Sequence, residues 1–385
     1  MAGILSAQSY LPVRREAIGL RLLGQLNSRF LRYNGRMSQT PLVNPPLPLL
    51  ITGIAGVAGY NALHFFRHHY PGQVVGIRQQ DNWRLVGPGI EVCNAEDLDG
   101  LRRLFEKHRF AAVLDCAGNC ALKSCELDPE MAWRINVEGV RTLTQVAREF
   151  YARLVHLSID LVYSGASNGG HVEDDPTDPV TVYGQTMVAA EQILLSEFPS
   201  ACILRISLPM GISFNGHAGA IDWIQSRFKK HRPATLYYDE IRTPTYTDCM
   251  NPLFTAVLAN SLSGIYHAGG PRPLSLYQIA QIINRVGGYD PKLLHGCMRI
   301  EAGPIPPRAG NVTMDSSRLS AVVGFHPFDP WPYDDALVPD SIAWHFSRDA
   351  DWQGSPKLLA KALYQNPRRM LRMQRNETLH TTFST

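Results

Sequence analysis

The sequence predicts a doubly wound α/β fold, a parallel sheet with helices on both faces, followed by a smaller C-terminal region. Three observations predict it. Short apolar runs alternate with helix-like stretches over about 160 residues from position 48, the rhythm of βαβ units. A glycine-rich turn separates the first apolar run from the first helix. After Pro209 the alternation breaks, and Gly and Pro become frequent among short mixed elements.

The elements follow in order. Residues 48–52 (PLLIT) read as a buried strand, and 60–69 continue from the glycine turn as a helix. Residues 73–77 (QVVGI) form a second strand and 98–108 an amphipathic helix. Residues 111–116 (AAVLDC) are a third strand, 129–150 a long helix and 153–157 (RLVHL) the next strand. A helix over 181–198 and a strand over 201–207 close the series. The implied division is 1–47, a basic and disordered extension; 48–210, the sheet domain; 211–330, a substrate-binding region; and 331–385, a C-terminal extension with a basic tail.

Charge is unevenly placed. The net charge of +3 hides two basic ends and an acidic body. Residues 1–47 carry six Arg and one Glu, and 353–385 carry two Lys, four Arg and one Glu. No basic face suited to nucleic acid emerges from the body. No apolar run of about 18 residues lacks Pro or Gly, so no membrane span is expected. The Arg-rich start lacks the apolar core of a secretory signal, leaving a targeting peptide and an upstream translation start as alternatives. Seven Cys without a C-x-x-C pair read as free thiols in a reducing cytoplasm. His64 and His68 have helical spacing but no companion ligand, so no metal is expected.

Residues 52–59 read TGIAGVAG, with Gly53, Gly56 and Gly59 at G-x-x-G-x-x-G spacing. Such a turn after a first strand lets backbone approach a pyrophosphate, and the following helix supplies N–H donors. The second strand ends at Arg78, where an Arg favours a 2′-phosphate and an acid a free ribose. The expected cofactor is therefore NADP, with NAD left open through Asp81.

Several blocks in order resemble the extended short-chain dehydrogenase/reductases of the dTDP-4-dehydrorhamnose reductase type. They include TGIAGVAG (52–59), LSIDLVYSG (157–165), VTVYGQTMVAAE (180–191), IRTPTYTDC (241–249) and PPRAGNVTMDSSRL (306–319). The resemblance spans roughly 48–330. It implies a Rossmann-type NAD(P)-binding domain, a small C-terminal substrate domain and a nucleotide-sugar substrate. It sets Val57, Ala58 and Gly59 against the pyrophosphate, and Glu91 and Val92 at the adenine. It also sets Cys116, Ala117 and Gly118 beneath the nicotinamide ribose, Asn136 as a structural residue, and Arg242 and Arg308 on the substrate side. A homodimer is left open.

The resemblance implies a Tyr acid, a Lys one turn later and a Ser or Thr on the preceding strand. Tyr183 and Asp160 match and are the catalytic candidates. The Lys place holds Met187, and the hydroxyl place holds Ile159, with Ser158 one residue off and on the opposite face. Without a cation the phenol keeps a pKa near 10 or higher, and roughly 10²–10⁴-fold of acid–base help is at stake. Lys123 and His171 are the candidates for a replacement cation. Two readings follow. One is an NAD(P)-dependent reductase or epimerase of a 4-keto nucleotide sugar with impaired or altered chemistry. The alternative is a degenerate NADP-binding regulatory or scaffold protein, a role that the beta subunit of methionine adenosyltransferase plays on the same reductase type.

Overall fold

In the computed structural model, residues 44–216, 218–348 and 353–369 are described. The expectations for the first 43 residues, and for the tail beyond Arg369, fall outside them. β1 (Leu49–Ile51) is buried on both faces and feeds the glycine turn and helix α1 (Val57–His69). β2 (Val74–Arg78) follows, then a short strand that the sequence pattern does not separate from its loop, β3 (Ile90–Val92). The pairs α2 (Leu98–His108) and β4 (Ala112–Asp115) match the expected positions closely. So do β5 (Arg153–Ile159), α6 (Val182–Glu197) and β6 (Cys202–Ile206).

Three α-helices and a π turn intervene between β4 and β5. The short α3 (Leu122–Leu127) precedes the segment expected as one helix over 129–150. That segment is α4 (Pro129–Trp133), one π turn (Arg134–Glu138) and α5 (Gly139–Glu149). An extra residue per turn there is the kind of bulge that re-aims side chains at functional sites.

The sheet has seven strands, β1 to β6 and β7 (Gly264–Ala268), in the order β7-β6-β5-β4-β1-β2-β3, all parallel. β7 comes from beyond the boundary expected at 210. The helix before it, which we label α8 (Thr247–Ala259), packs Met250, Leu253 and Phe254 into the same core as α1. The second face of the sheet is covered by α2, α5 and α6, around Phe105, Val146 and Leu194. Alternation along the strands divides the two cores, since each successive side chain points to the opposite face.

A separate apolar cluster serves the smaller region. It joins Ile221, Ile224 and Phe228 of α7 (Ala220–Lys229) to Ile279, Ile282 and Ile283 of α9 (Leu276–Gly287). The segment after 330 is part of this core: Trp331, Leu337, Trp344, Leu359 and Leu363 all belong to it. Asn366 is fully buried there, its backbone N–H donating to Asp248 at 2.8 Å and its amide to Asp329 at 2.7 Å. The stretch expected as a C-terminal extension from residue 331 thus packs in part into this core. Apolar spacing there is too irregular to announce burial. Among the described residues no helix is long and apolar enough to cross a membrane.

Candidate functional site

The C-terminal ends of the parallel strands gather the predicted residues. Gly53 leaves β1 at φ +61°, and a Cβ there would lie 2.0 Å from the Cys116 carbonyl oxygen. Only glycine allows that approach of the turn to the β4 loop. Gly56 is the N-cap of α1; no side chain caps the helix and its first turn holds no acid. The positive end of the helix is thus left for an anion. The segment after β6 lies along the turn: Phe214 donates its N–H to the Ala55 carbonyl at 3.3 Å, and the Asn61 amide donates to Ile212 at 2.7 Å.

The floor beside the turn is fixed by polar contacts. The N–H groups of Cys116 and Ala117 donate to the Thr52 hydroxyl at 3.0 and 3.1 Å. That hydroxyl donates in turn to Asp115. Asp115 also accepts from His156 Nδ1 at 2.7 Å, and both are buried. Asn136, carried by the π turn, accepts from the Asn119 N–H at 2.6 Å and donates to the Thr186 hydroxyl at 2.9 Å. Thr186 donates to the Tyr183 carbonyl at 2.7 Å. Asn136 therefore ties the loop bearing Gly118 to the helix bearing Tyr183.

Tyr183 sits in the first turn of α6, whose Thr181 N-cap accepts from the Gly184 N–H at 3.0 Å. Gly184 is required for contact, since a Cβ would lie 2.3 Å from the Leu161 carbonyl oxygen. The phenol is buried with Met187 and Ile159 in one apolar cluster. Burial drives its pKa well above 10; Cys120, Asp160 and Cys125 add to the rise, and Arg242 opposes it. Ser158 points away, as strand alternation predicts, and donates to Glu191 at 2.5 Å.

The cation that acts on the phenol is thus Arg242. It is already committed: its Nε donates to Asp160 at 2.6 Å, a second arm closes on the other carboxylate oxygen, and Ser207 also donates to Asp160. Glu240 lies 3.8 Å from Arg242 and 3.7 Å from Arg308, and burial raises its pKa. Arg308 also stacks over Tyr237 at 4.6 Å. Lys123 is exposed on α3. His171 stacks flat on Tyr163 at 3.9 Å and contacts Asp175 and Ser167. The alternating pattern could not reveal Arg242 as the cation at Tyr183, because the two lie 59 positions apart.

The adenine-side residues are placed unevenly. Arg78 ends β2, with Nη1 donating to the carbonyls of Gln79 and Gln80 at 3.1 and 3.2 Å, while its buried Nε has no partner. Glu91 is drawn to Lys107 at 2.7 Å and His108 at 3.2 Å. Val92 is exposed. The uncapped helix start, the glycine cradle and the Arg78 Nε fit a phosphorylated dinucleotide.

Beneath the loop after β5 lies a buried network. Tyr163 accepts from Arg205 at 2.6 Å and lies 2.9 Å from His267 Nε2, while His267 Nδ1 lies 3.0 Å from the His171 carbonyl. The arrangement suits a neutral imidazole. Burial, helped by Arg205, lowers the pKa of His267 to about 4. An unfolded chain takes up that proton near 6.5. Folding stability is therefore expected to fall by roughly 3 kcal/mol as pH drops from 6.5 to 4. Urea denaturation across that window checks it, and His267→Gln should flatten this part of the profile.

A model of the RmlD substrate binding domain matches residues 49–337. The chain belongs to that family. Among its relatives, methionine adenosyltransferase 2 subunit beta of Danio rerio is 24% identical over 334 residues, covering 83% of this chain and 98% of that one. A dTDP-4-dehydrorhamnose reductase of Mycolicibacterium smegmatis is 28% identical over 244 residues, covering 62% and 72%. A dTDP-4-dehydrorhamnose reductase from Bacillus anthracis, solved in complex with NADP, superposes with a TM-score of 0.61 at 20% identity, covering 74% and 95%. The Thermus thermophilus UDP-glucose 4-epimerase, solved with NAD, gives 0.62 at 23%, covering 72% and 93%. At these identities the structures establish the family's fold: a parallel sheet with flanking helices.

Proposed function

We propose that this protein binds NADP(H), and a nucleotide sugar beside it, as a regulatory or scaffold member of the RmlD family whose reductive centre is disabled. The observation that carries this reading is Met187. It is buried in the lysine's place and shares one apolar cluster with Ile159 and Tyr183. A nicotinamide cofactor supplies hydride when bound; what this chain must add is a proton at the Tyr183 oxygen. That phenol lies in an apolar pocket with its pKa raised, so its ionised form is out of reach near neutral pH. It retains the proton, and Arg242, the cation that opposes the rise, is already bound to Asp160.

The site's other residues have binding roles in this reading. The turn from Gly53 to Gly59, including Val57 and Ala58, receives the diphosphate, and Arg78 a 2′-phosphate. Cys116, Ala117 and Gly118 line the nicotinamide ribose. Arg308 faces the sugar nucleotide. Asp160 acts through Arg242 as a positioning residue, since its oxygens are held by Arg242 and Ser207. The Danio rerio relative, named as a subunit of another enzyme and aligned along 98% of its length, supports the regulatory reading.

A reductase reading retains one specific support, the intact Tyr183 on a correctly capped helix. The two separate cleanly. NADPH fluorescence titration should show binding, and NADPH oxidation with nucleotide 4-keto sugars should be at background. Ile159→Thr combined with Met187→Lys should raise that oxidation at least tenfold, restoring part of the roughly 10²–10⁴-fold from acid–base help. Turnover by the native chain with an apparent acid pKa near 7 would overturn the disabled centre.

A further inference from the structure

We infer that Trp83 is the stacking platform for the purine of the bound dinucleotide, taking over a grip that Glu91 does not provide. The inference rests on the cofactor reading above and concerns residues that reading leaves unused.

Trp83 is 65% exposed, on the loop that leaves β2 directly after Arg78. An exposed indole offers a large, rigid apolar face with a polar edge, suited to stacking against a flat ring. The loop is nevertheless pinned. Leu85 is buried beneath it, and its N–H donates to the Asn82 carbonyl at 2.9 Å. The Asn82 N–H donates to Gln79 at 3.1 Å, and the Gln80 N–H reaches Asn94, just past β3, at 3.0 Å. The loop that carries Trp83 is therefore tied down beside the ends of β2 and β3. The Arg84 guanidinium lies 4.9 Å from its ring centroid, a contact that polarises the ring.

The position suits an adenine. β1 stands between β4 and β2 in the sheet. A dinucleotide with its diphosphate at the head of α1 sends one half toward Cys116–Gly118 on the β4 side. The other half must then pass over the ends of β2 and β3. Ile90 packs against the core that contains α1, so Val92, two residues on, points to the same face. Val92 is 53% exposed there. Glu91 points to the opposite face and is engaged by Lys107 and His108 of α2. With that carboxylate withdrawn, recognition falls to apolar surface, which any purine can stack on but which reads no base edge.

The test is NADPH binding by the full chain, followed by fluorescence and calorimetry. Trp83→Ala should weaken NADPH and adenosine 2′,5′-diphosphate about tenfold or more, in the range of one lost base–aromatic stack. Trp83→Phe should retain most of the affinity. Reduced nicotinamide mononucleotide, which has no purine, should bind equally to all three proteins. The indole quenching on NADPH addition should shrink in both variants. An unchanged melting temperature is expected, because the side chain is mostly exposed. NADPH binding by the native chain with unaltered affinity in Trp83→Ala would overturn this inference alone. No NADPH binding by the native chain would remove the cofactor reading and this inference with it.

Discussion

Gly53→Ala is expected to destabilise the fold by roughly 4 kcal/mol and to abolish NADPH binding, whereas Gly170→Ala should cost only about 1–2 kcal/mol. Both glycines have positive φ, +61° and +70°, so both replacements incur the left-handed penalty of a side chain. They differ in what a Cβ meets. At Gly170 nothing lies within 4 Å. At Gly53 it would sit 2.0 Å from the Cys116 oxygen, 2.3 Å from the Cys116 carbonyl carbon and 2.7 Å from the Ala117 nitrogen. These are backbone atoms and cannot rotate away. They are also held in place, because both N–H groups of that stretch bond to Thr52. Relief must therefore displace the β4 loop or the turn, and each is a wall of the proposed dinucleotide site. Urea denaturation and NADPH titration of the two variants check the contrast. A Gly53→Ala protein as stable as Gly170→Ala would show that the β4 loop yields easily.

The strands β1, β2, β4, β5 and β6 were legible because they are buried on both faces and read as largely apolar runs. The glycine turn was legible because its spacing reflects a local backbone need. The loss at Met187 and Ile159 was readable for the same reason: Tyr183 and Met187 lie on one helix, and Ile159 lies on one strand. Less visible were the features made by distant residues. β7 reaches the sheet after a long excursion, so its place beside β6 has no local signal. β3 is only three residues long with an exposed end. The π turn leaves no mark in apolar periodicity, yet it aims Asn136. Asp160 and Arg242 meet across 82 positions, and no spacing rule connects them. The pairing of Glu91 with Lys107 and His108 is likewise set by where α2 presents those two side chains.

The Asp160–Arg242 pair shows how burial rather than distance sets the worth of an ion pair. Asp160 is fully buried and Arg242 nearly so. Arg242→Met would leave a carboxylate in the interior with only Ser207 to hold it, and is expected to cost about 3–5 kcal/mol. Asp160→Asn combined with Arg242→Met removes both charges while keeping an acceptor for Ser207. It should recover most of that loss, because the desolvation of two ions is then no longer incurred. Arg102 and Glu149 make a contact of similar length, 2.7 and 2.9 Å, but on the surface. There solvent competes for both partners, and Arg102→Ala should cost a small fraction of the Arg242 effect. A double-mutant cycle by urea denaturation measures the buried coupling directly. The pair also bears on Tyr183, since Asp160 raises and Arg242 lowers its pKa. Removing the two charges together should leave NADPH affinity near that of the native chain, because neither touches the glycine turn. Arg242→Met alone costing under about 1 kcal/mol would mean that water reaches Asp160, and the closed, apolar setting argued for the phenol would fall with it.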